Sequence, residues 1–353
     1  MKIVFTTLAT ALLTTAVWAQ TKQTDSLLQK EIALNEVFVS ALRATKAMGV
    51  SFSNVKAEDF EARNLGQDLP ILLQYLPGVV TTSDAGAGIG YTGIRVRGSD
   101  ATRVNVTING IPYNDPESQG TFWVNLPDFG SSVSSVQLQR GVGTSTNGAG
   151  AFGASLNIST KDAVPEASAQ IRSAVGSFNT LNNSVQFNTG LLNNDFSLSG
   201  RLSRIVSDGY IDRASARLSS YFLQGTYQKG STILKGLLFG GHEVTYQAWN
   251  GIDAQTLNEN RRFNPSGMYT DANGLMQFHD KEEDNYKQDH AQLHWNEVLA
   301  DGWNAQFALH FTRGRGYFEQ YKSQETDGSY GIGLPSETPT DLIRRRWLDN
   351  RFY

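Results

Sequence analysis

His290 and His294 stand four residues apart, an interval at which two imidazoles on one helix face can hold a metal ion. On a strand the same interval keeps them on one face but about 13 Å apart, too far to share an ion. The remaining histidines, His242, His279 and His310, add no third ligand at a recognisable spacing. Cysteine is absent, which excludes thiol catalysis, thiolate zinc sites and disulfides. Two stretches, Gly88-Ile89-Gly90-Tyr91-Thr92-Gly93 and Gly148-Ala149-Gly150-Ala151-Phe152-Gly153, have the glycine spacing of a dinucleotide-binding turn. Such a turn needs a helix behind it, whose N-terminus holds the pyrophosphate. Here residues 94–97 and 155–159 follow, and both read as strands, so the glycines serve tight turns. Neither a Gly-x-Ser-x-Gly elbow nor a His-Glu-x-x-His pair occurs, and Asp and Glu are spread too evenly to nominate a carboxylate pair. The sequence therefore nominates no catalytic, metal-binding or cofactor-binding residue, and the chain is not expected to be an enzyme.

What remains is binding or transport. The net charge of the 353-residue chain is −4, and its one basic run is Arg344-Arg345-Arg346. A duplex-binding surface needs clustered cations, so nucleic acid is a poor partner and the run reads as a solvated or lumen-facing patch. The N-terminus reads as a secretory signal over residues 1–19, with Lys2, an apolar stretch to Val17 and a small-residue cleavage site ending at Ala19. No other apolar run approaches the roughly 18 residues of a membrane helix. An exported chain of this kind lives in a membrane only as a barrel.

The elements that position these residues change character along the chain. Residues 20–40 are a linker that ends in an isolated apolar, β-prone run, Leu34-Asn35-Glu36-Val37-Phe38-Val39-Ser40. It is either a peptide that adds itself as a strand to a partner's sheet edge or the first strand of the domain that follows. Residues 57–78 read as helical, with Leu69, Leu72, Leu73 and Leu76 on one face, Pro70 in the first turn and Pro77-Gly78 as the stop. Residues 104–108, 133–138 and 155–158 are β-rich and separated by Gly, Asn, Asp and Pro turns.

After Pro165 a period of two takes over. Phe196, Leu198, Gly200 and Leu202 alternate with Ser197, Ser199, Arg201 and Ser203. The same pattern places Val185 and Phe187 against Gln186 and Asn188, Leu293 and Trp295 against Gln292 and His294, and Phe307, Leu309 and Phe311 against Gln306, Ala308 and His310. This is the pattern of membrane-spanning strands, apolar toward lipid and polar toward a lumen. Only residues 233–240 depart from it, with leucines on both faces. Short turns at 192–195, 229–231 and 300–302 alternate with longer links at about 207–219, 243–286 and 317–343, as periplasmic turns and extracellular loops do in outer-membrane barrels. Tyr210, Tyr221, Tyr227, Trp303 and Tyr317 lie near strand ends, where interface girdles form.

The segment Ile94 to Thr160, with Arg95-Val96-Arg97-Gly98 and Arg140-Gly141 punctuating its strands, closely resembles the plug domain of TonB-dependent outer-membrane receptors, and the resemblance extends over about 34–161. It implies a mixed α+β plug domain at 41–162 followed by antiparallel transmembrane β-barrel strands at 163–353. About seven strands, with an eighth beginning at 347–353, are too few to enclose a plug, because plugged transporters need about 22. The barrel is therefore expected to be incomplete and the chain to be a fragment of a longer receptor.

In that family the segment holding Leu34, Glu36, Val37, Phe38 and Val39 would be the TonB box, pulled by TonB with its inner-membrane energising complex. Arg95, Arg97, Gly98, Arg140 and Gly141 would form a plug–barrel latch, the guanidiniums pairing reversibly with carboxylates of the wall; a pair of exposed surface arginines is the alternative. Ligand would meet the loops at 83–92, 112–123 and 243–286, through Tyr91, Tyr113, Phe122, Trp123, Tyr246 and Trp249. The implied role is energy-coupled uptake of a scarce ligand, most often a ferric siderophore, by a monomer in outer-membrane lipid. Vitamin B12, haem or oligosaccharide uptake is the alternative within the class, and a small adhesin or structural barrel the alternative outside it.

Overall fold

A computed structural model describes residues 43–143, 147, 150–300, 303–325 and 340–352. The proposed signal, the linker and the segment carrying Leu34, Glu36, Val37, Phe38 and Val39 lie outside the described residues.

Two bodies of structure lie against one another. The first is built on β1 (Ser51–Lys56), β2 (Val79–Ser83), β3 (Thr92–Val96), β4 (Val104–Ile108), β5 (Ile111–Pro112), β6 (Val133–Arg140) and β7 (Ala154–Thr160). β1, β6, β7, β4 and β5 form a five-stranded sheet in that order, antiparallel except for the parallel pair β4–β7, while β2 and β3 form a separate hairpin. The turn at Gly88–Gly93 leads into β3 and Gly153 leads into β7, so no helix follows either glycine motif. Apolar side chains from β4, β6 and β7 are almost wholly buried, and Leu69, Leu72, Leu73 and Leu76 pack against them. The expected helix over 57–78 is replaced by two short ones, Ala57–Glu61 and Leu69–Leu72. Between them Gly66 takes φ +104° and its N–H donates to the Asn64 side chain, which breaks the helical path. Pro70, which cannot donate an N–H, opens the second helix. The apolar face survives the break because all four leucines still point into the core.

The second body is an eight-stranded antiparallel sheet of β8 (Ser168–Gly176), β9 (Thr180–Asn188), β10 (Phe196–Ser207), β11 (Ala216–Lys229), β12 (Thr232–Tyr246), β15 (Glu283–Ala300), β16 (Trp303–Glu325) and β17 (Thr340–Phe352). β13 (Met268–Thr270) and β14 (Met276–Phe278) make a hairpin inside the long connection between β12 and β15. Polar Ser184, Ser197, Ser203, Gln224, His290, Gln292 and His294 are buried, while Val185, Leu202, Leu238, Leu293, Phe307 and Leu309 are exposed. That inverts the rule for a water-soluble domain and fits a wall with lipid outside and a polar filling inside. The eighth strand begins at Thr340, before the expected 347. The link after β10 is shorter than expected, residues 208–215, and the turn 177–179, at the same end as the long connection, is also short.

The leucines on both faces of β12 now have a reason. Leu234 and Leu238 point outward, whereas Ile233, Leu237 and Phe239 are buried, and Leu237 and Phe239 join the core of the first body. This strand is apolar inside because it touches the plug-like domain directly rather than a polar lumen.

Candidate functional site

The interface between the two bodies is the candidate site, and a short loop builds its centre. Pro127 precedes Asp128, which adopts a left-handed conformation (φ 54°) and opens a 3-10 turn, Phe129–Ser132. That geometry points neighbouring side chains at the wall with different chemistries. Asp128 Oδ2 accepts from the Arg201 guanidinium of β10 at 3.0 Å and from Ser203 Oγ at 2.7 Å. Its Oδ1 accepts from Ser131 Oγ at 2.6 Å. Arg201 also donates to Ser132 Oγ and Ser220 Oγ, and Ser220 in turn donates to the Pro127 carbonyl. The ion-paired side chains are 3% and 1% exposed, so the pair is desolvated and held by several further hydrogen bonds.

Phe129 makes the apolar half of the fastening. Its ring centroid is 5.5 Å from that of Phe239 and 6.4 Å from that of Phe222, and Phe239 stacks on His290 at 4.7 Å. A further polar line runs from Asn109 to Thr160 and on to Gln224, whose amide donates to the Lys161 carbonyl.

Toward the end that carries the long connection 247–282, Tyr91 reaches the wall. Its hydroxyl donates to Asp284 of β15 and lies 3.4 Å from Glu243 of β12. Burial, followed by these two carboxylates, pushes the Tyr91 phenol well above its usual range. The Tyr91 ring meets Trp249 edge-on at 5.3 Å, and Trp249 meets Phe318 at 6.5 Å. Register fixes what stands beside them: Asp284 pairs with Phe318, and Phe318 with Arg346. Arg346, and Arg344 opposite Gln320, therefore occupy inner-face positions, and both are exposed. Beneath Tyr91, Asp68 is buried and accepts from Thr92 Oγ1 at 2.9 Å. Burial raises its carboxyl to about 8, opposed by the Thr92 hydrogen bond.

Of the expected ligand residues, the structure brings Tyr91 and Trp249 together. Tyr113 and Phe122 line a separate cavity of about 280 Å³ with Asp115, His290, His310 and Thr312. The Tyr113 hydroxyl donates to Gln288 at 3.2 Å, and burial raises that phenol strongly. The other two expected ligand residues need correction. Trp123 is 2% exposed and belongs to the plug-like core, because its 3-10 turn folds the indole inward. Tyr246 is also buried, and its hydroxyl donates to the Ser266 and His279 carbonyls, tying down the long connection.

The expected arginine latch takes a different form. Arg95 and Arg97 are exposed and do not share a strand face, because β3 ends at Val96 and Arg97 has φ 50°. Arg97 donates to Ser51 at 3.4 Å, and Arg140 donates to the Pro77 carbonyl and Ser53 Oγ, each at 2.8 Å. These bonds stay within the first body, and among the described residues none of the three forms an ion pair with the wall. Gly98 (φ 82°) and Gly141 (φ 90°) sit where a side chain would be strained. Among the described residues, Glu61–Arg172 at 3.2 Å and Asp162–Lys235 at 3.4 Å are partly exposed pairs between the first body and the wall, and the buried pair that joins them, Asp128–Arg201, was missed from sequence. Its one signal was an arginine on the polar face of an alternating strand.

A sequence model of the TonB-dependent Receptor Plug Domain family matches residues 44–155. No curated protein matches the chain. Among solved structures, the chain is similar to the ferric-catecholate import receptor Fiu of E. coli K12 in its open form, with TM-score 0.59 and 13% identity over 86% of this chain and 44% of that one. FpvA of P. aeruginosa bound to heterologous pyoverdines gives TM-score 0.61 and 13% identity over 84% and 37%. The ferric yersiniabactin uptake receptor FyuA of Yersinia pestis gives 0.55 and 18% over 79% and 44%. The chain thus spans less than half the length of these receptors, and at such identities the likeness concerns the fold. Residues 44–155 are a TonB-dependent receptor plug domain, seated on antiparallel strands that have the fold of part of a TonB-dependent receptor barrel.

Proposed function

We propose that this protein acts in the outer membrane as a TonB-dependent receptor and imports an anionic ferric siderophore. The observation that carries the reading is the cluster of Tyr91, Trp249 and Phe318 at the long-connection end of the interface, with Arg344 and Arg346 on the adjoining inner wall. Aromatic rings suit a planar chelate by stacking, and exposed inner-face guanidiniums suit its negative charge. The plug domain would occupy positions 41–162 and barrel strands 163–353, behind a signal ending at Ala19. Ligand would arrive from outside, where the long connections lie. Tyr91, hydrogen-bonded to the wall and in contact with Trp249, would feel it first. TonB and its inner-membrane energising complex would engage the segment containing Leu34, Glu36, Val37, Phe38 and Val39 by strand addition and pull. Arg95 and Arg97, with Gly98 and Gly141, stand on the plug surface in this scheme and Arg140 is buried inside the plug, while Asp128–Arg201 holds the plug to the wall.

The test is uptake of a ferric catecholate by cells making the full protein, with and without residues 34–40. Deletion is expected to abolish uptake while leaving surface binding and the heat-modifiable band of a folded barrel intact. Uptake that survives the deletion refutes energy coupling. Binding of haem or a corrinoid in place of any ferric chelate refutes the ligand class.

A further inference from the structure

Asp284 of β15 stands one row beyond Tyr317 and Trp347, the outward aromatic pair near the rim of the apolar wall. On the inner side of that rim three carboxylates are closed off from water. Asp284 is 6% exposed, Glu243 of β12 1% and Asp68 of the plug domain 1%. Among the described residues none of the three forms an ion pair. Glu243 faces Asp284, Asp68 and Tyr91, and Asp284 faces Glu243 and Tyr91. The long connection contributes Trp249 and β16 contributes Phe318, neither of which carries a charge. Asp84 lies half-buried in the same loop as Tyr91, and its backbone N–H donates to the Tyr91 carbonyl at 2.9 Å. Of the guanidiniums nearby, Arg346 is exposed two strands away on the Asp284 row, and Arg217 pairs with Glu283.

Donors are fewer than acceptors here. A phenol has one proton. Tyr91 donates it to Asp284 Oδ2, so it cannot also serve Glu243 Oε1, 3.4 Å away. Thr245 serves the other Glu243 oxygen at 3.2 Å, and Thr92 serves one oxygen of Asp68 at 2.9 Å. Asp284 Oδ1 and Asp68 Oδ1 are buried without a hydrogen-bond partner. Like charges that share a dry site cannot all stay ionised. A carboxyl proton on Glu243 completes the chain, because it points at the Tyr91 oxygen while Tyr91 donates to Asp284. The phenol keeps its own proton, since burial and the two carboxylates both oppose its loss.

We infer that Glu243, Tyr91 and Asp284 form a proton-dependent clasp, which seats the plug loop 83–92 on the wall through one bound carboxyl proton and lets go of it as pH rises. Unseating Tyr91 admits water, both carboxylates ionise and the proton passes to solvent. The seated form therefore holds one proton more and is favoured by acid. One proton changes the ratio of seated to unseated forms about tenfold per pH unit over the range in which it is lost. By the same linkage, whatever lifts Tyr91 from the wall discharges that proton and is helped by alkali. The inference needs the plug seated on the wall, but neither siderophore nor TonB.

The experiment follows hydrogen exchange at the Asp84 amide of the full protein in detergent from pH 5 to 9, as a protection factor corrected for intrinsic exchange. In wild type the factor is expected to fall about tenfold or more across that range. Glu243→Gln and Asp284→Asn each leave one carboxylate for one phenol proton, so each should give a flat profile; the second variant covers failure of the first to fold. Asp68→Asn, which removes the other buried carboxyl, should leave the fall in place. No fall in wild type, or the same fall in Glu243→Gln and Asp284→Asn, overturns the clasp. A fall abolished by Asp68→Asn but kept by Glu243→Gln moves the proton to Asp68 and overturns it too. Exchange at the unprotected rate at every pH would show that the loop is not seated on the wall at all, and overturns the clasp without touching the uptake test above.

Discussion

Replacing Arg201 with methionine keeps the length and apolar stem of the side chain but leaves Asp128 buried without its cation. The aspartate is 1% exposed and retains only the Ser131 and Ser203 hydroxyls, at 2.6 and 2.7 Å. Removing one member of a buried pair costs about 3–5 kcal/mol, because the surviving charge stays desolvated. Removing both charges in Asp128→Asn/Arg201→Met restores most of that loss, since an amide tolerates burial between two hydroxyls. The two substitutions should therefore couple by about 2 kcal/mol or more. Hydrogen exchange at the amides of Phe129 and Ser131 reads the local opening free energy, because both donate within this turn. A drop below about 1 kcal/mol in Arg201→Met, or a double variant that merely sums its singles, refutes the argument that this pair fastens the plug to the wall.

Phe129→Ala should cost about 3–5 kcal/mol by opening a cavity among Phe222, Phe239 and the plug core, seen as faster exchange in β6; a loss under 1 kcal/mol would show that the ring is not an anchor. Tyr91→Phe takes the hydroxyl donor from Asp284 and Glu243 and should destabilise the 83–92 loop by about 1–3 kcal/mol, read as increased proteolysis there; unchanged cleavage would deny it a structural role. Asp68 has a folded value of about 8 against an ordinary 3.8, so the native state holds its proton more tightly. Its stabilising contribution is complete below about pH 4, falls as pH rises and is gone above about pH 8. Thermal unfolding from pH 5 to 9 should show that slope in the wild type and a shallower one in Asp68→Asn, and identical slopes would remove Asp68 as the cause.

Much of the wall was legible in the sequence because lipid imposes a strict period of two. β9, β10, β15 and β16 could be phased from apolar Val, Leu, Phe and Trp alternating with Ser, Gln, Asn and His. The pattern failed at 233–240, where the inner neighbour is Phe129 rather than water and periodicity has nothing to contrast. The helix expected over 57–78 failed at Gly66, whose left-handed backbone depends on a bond from its own N–H to Asn64. Local sequence does not encode which residues meet across 73 positions, as Asp128 and Arg201 do, because that follows from strand register and from how the plug domain sits. Trp123 and Tyr246 were chosen for ring chemistry, but ring chemistry serves a core as well as a ligand. Tyr91 and Trp249 were chosen by the same reasoning, and tertiary structure alone shows that their rings meet at the interface.

The burial of Asp128–Arg201 also constrains biogenesis. Both side chains are sealed behind Ser131, Ser132, Ser203 and Ser220, so each charge is balanced only where the other is in place. A β10 placed without the turn would carry a buried inward guanidinium with no counter-ion. Removing either element from the contact would leave the other carrying a bare charge in a dry site. This ion pair thus couples the folding of the 127–132 turn to the placing of β10, so that neither reaches its buried position at low cost alone.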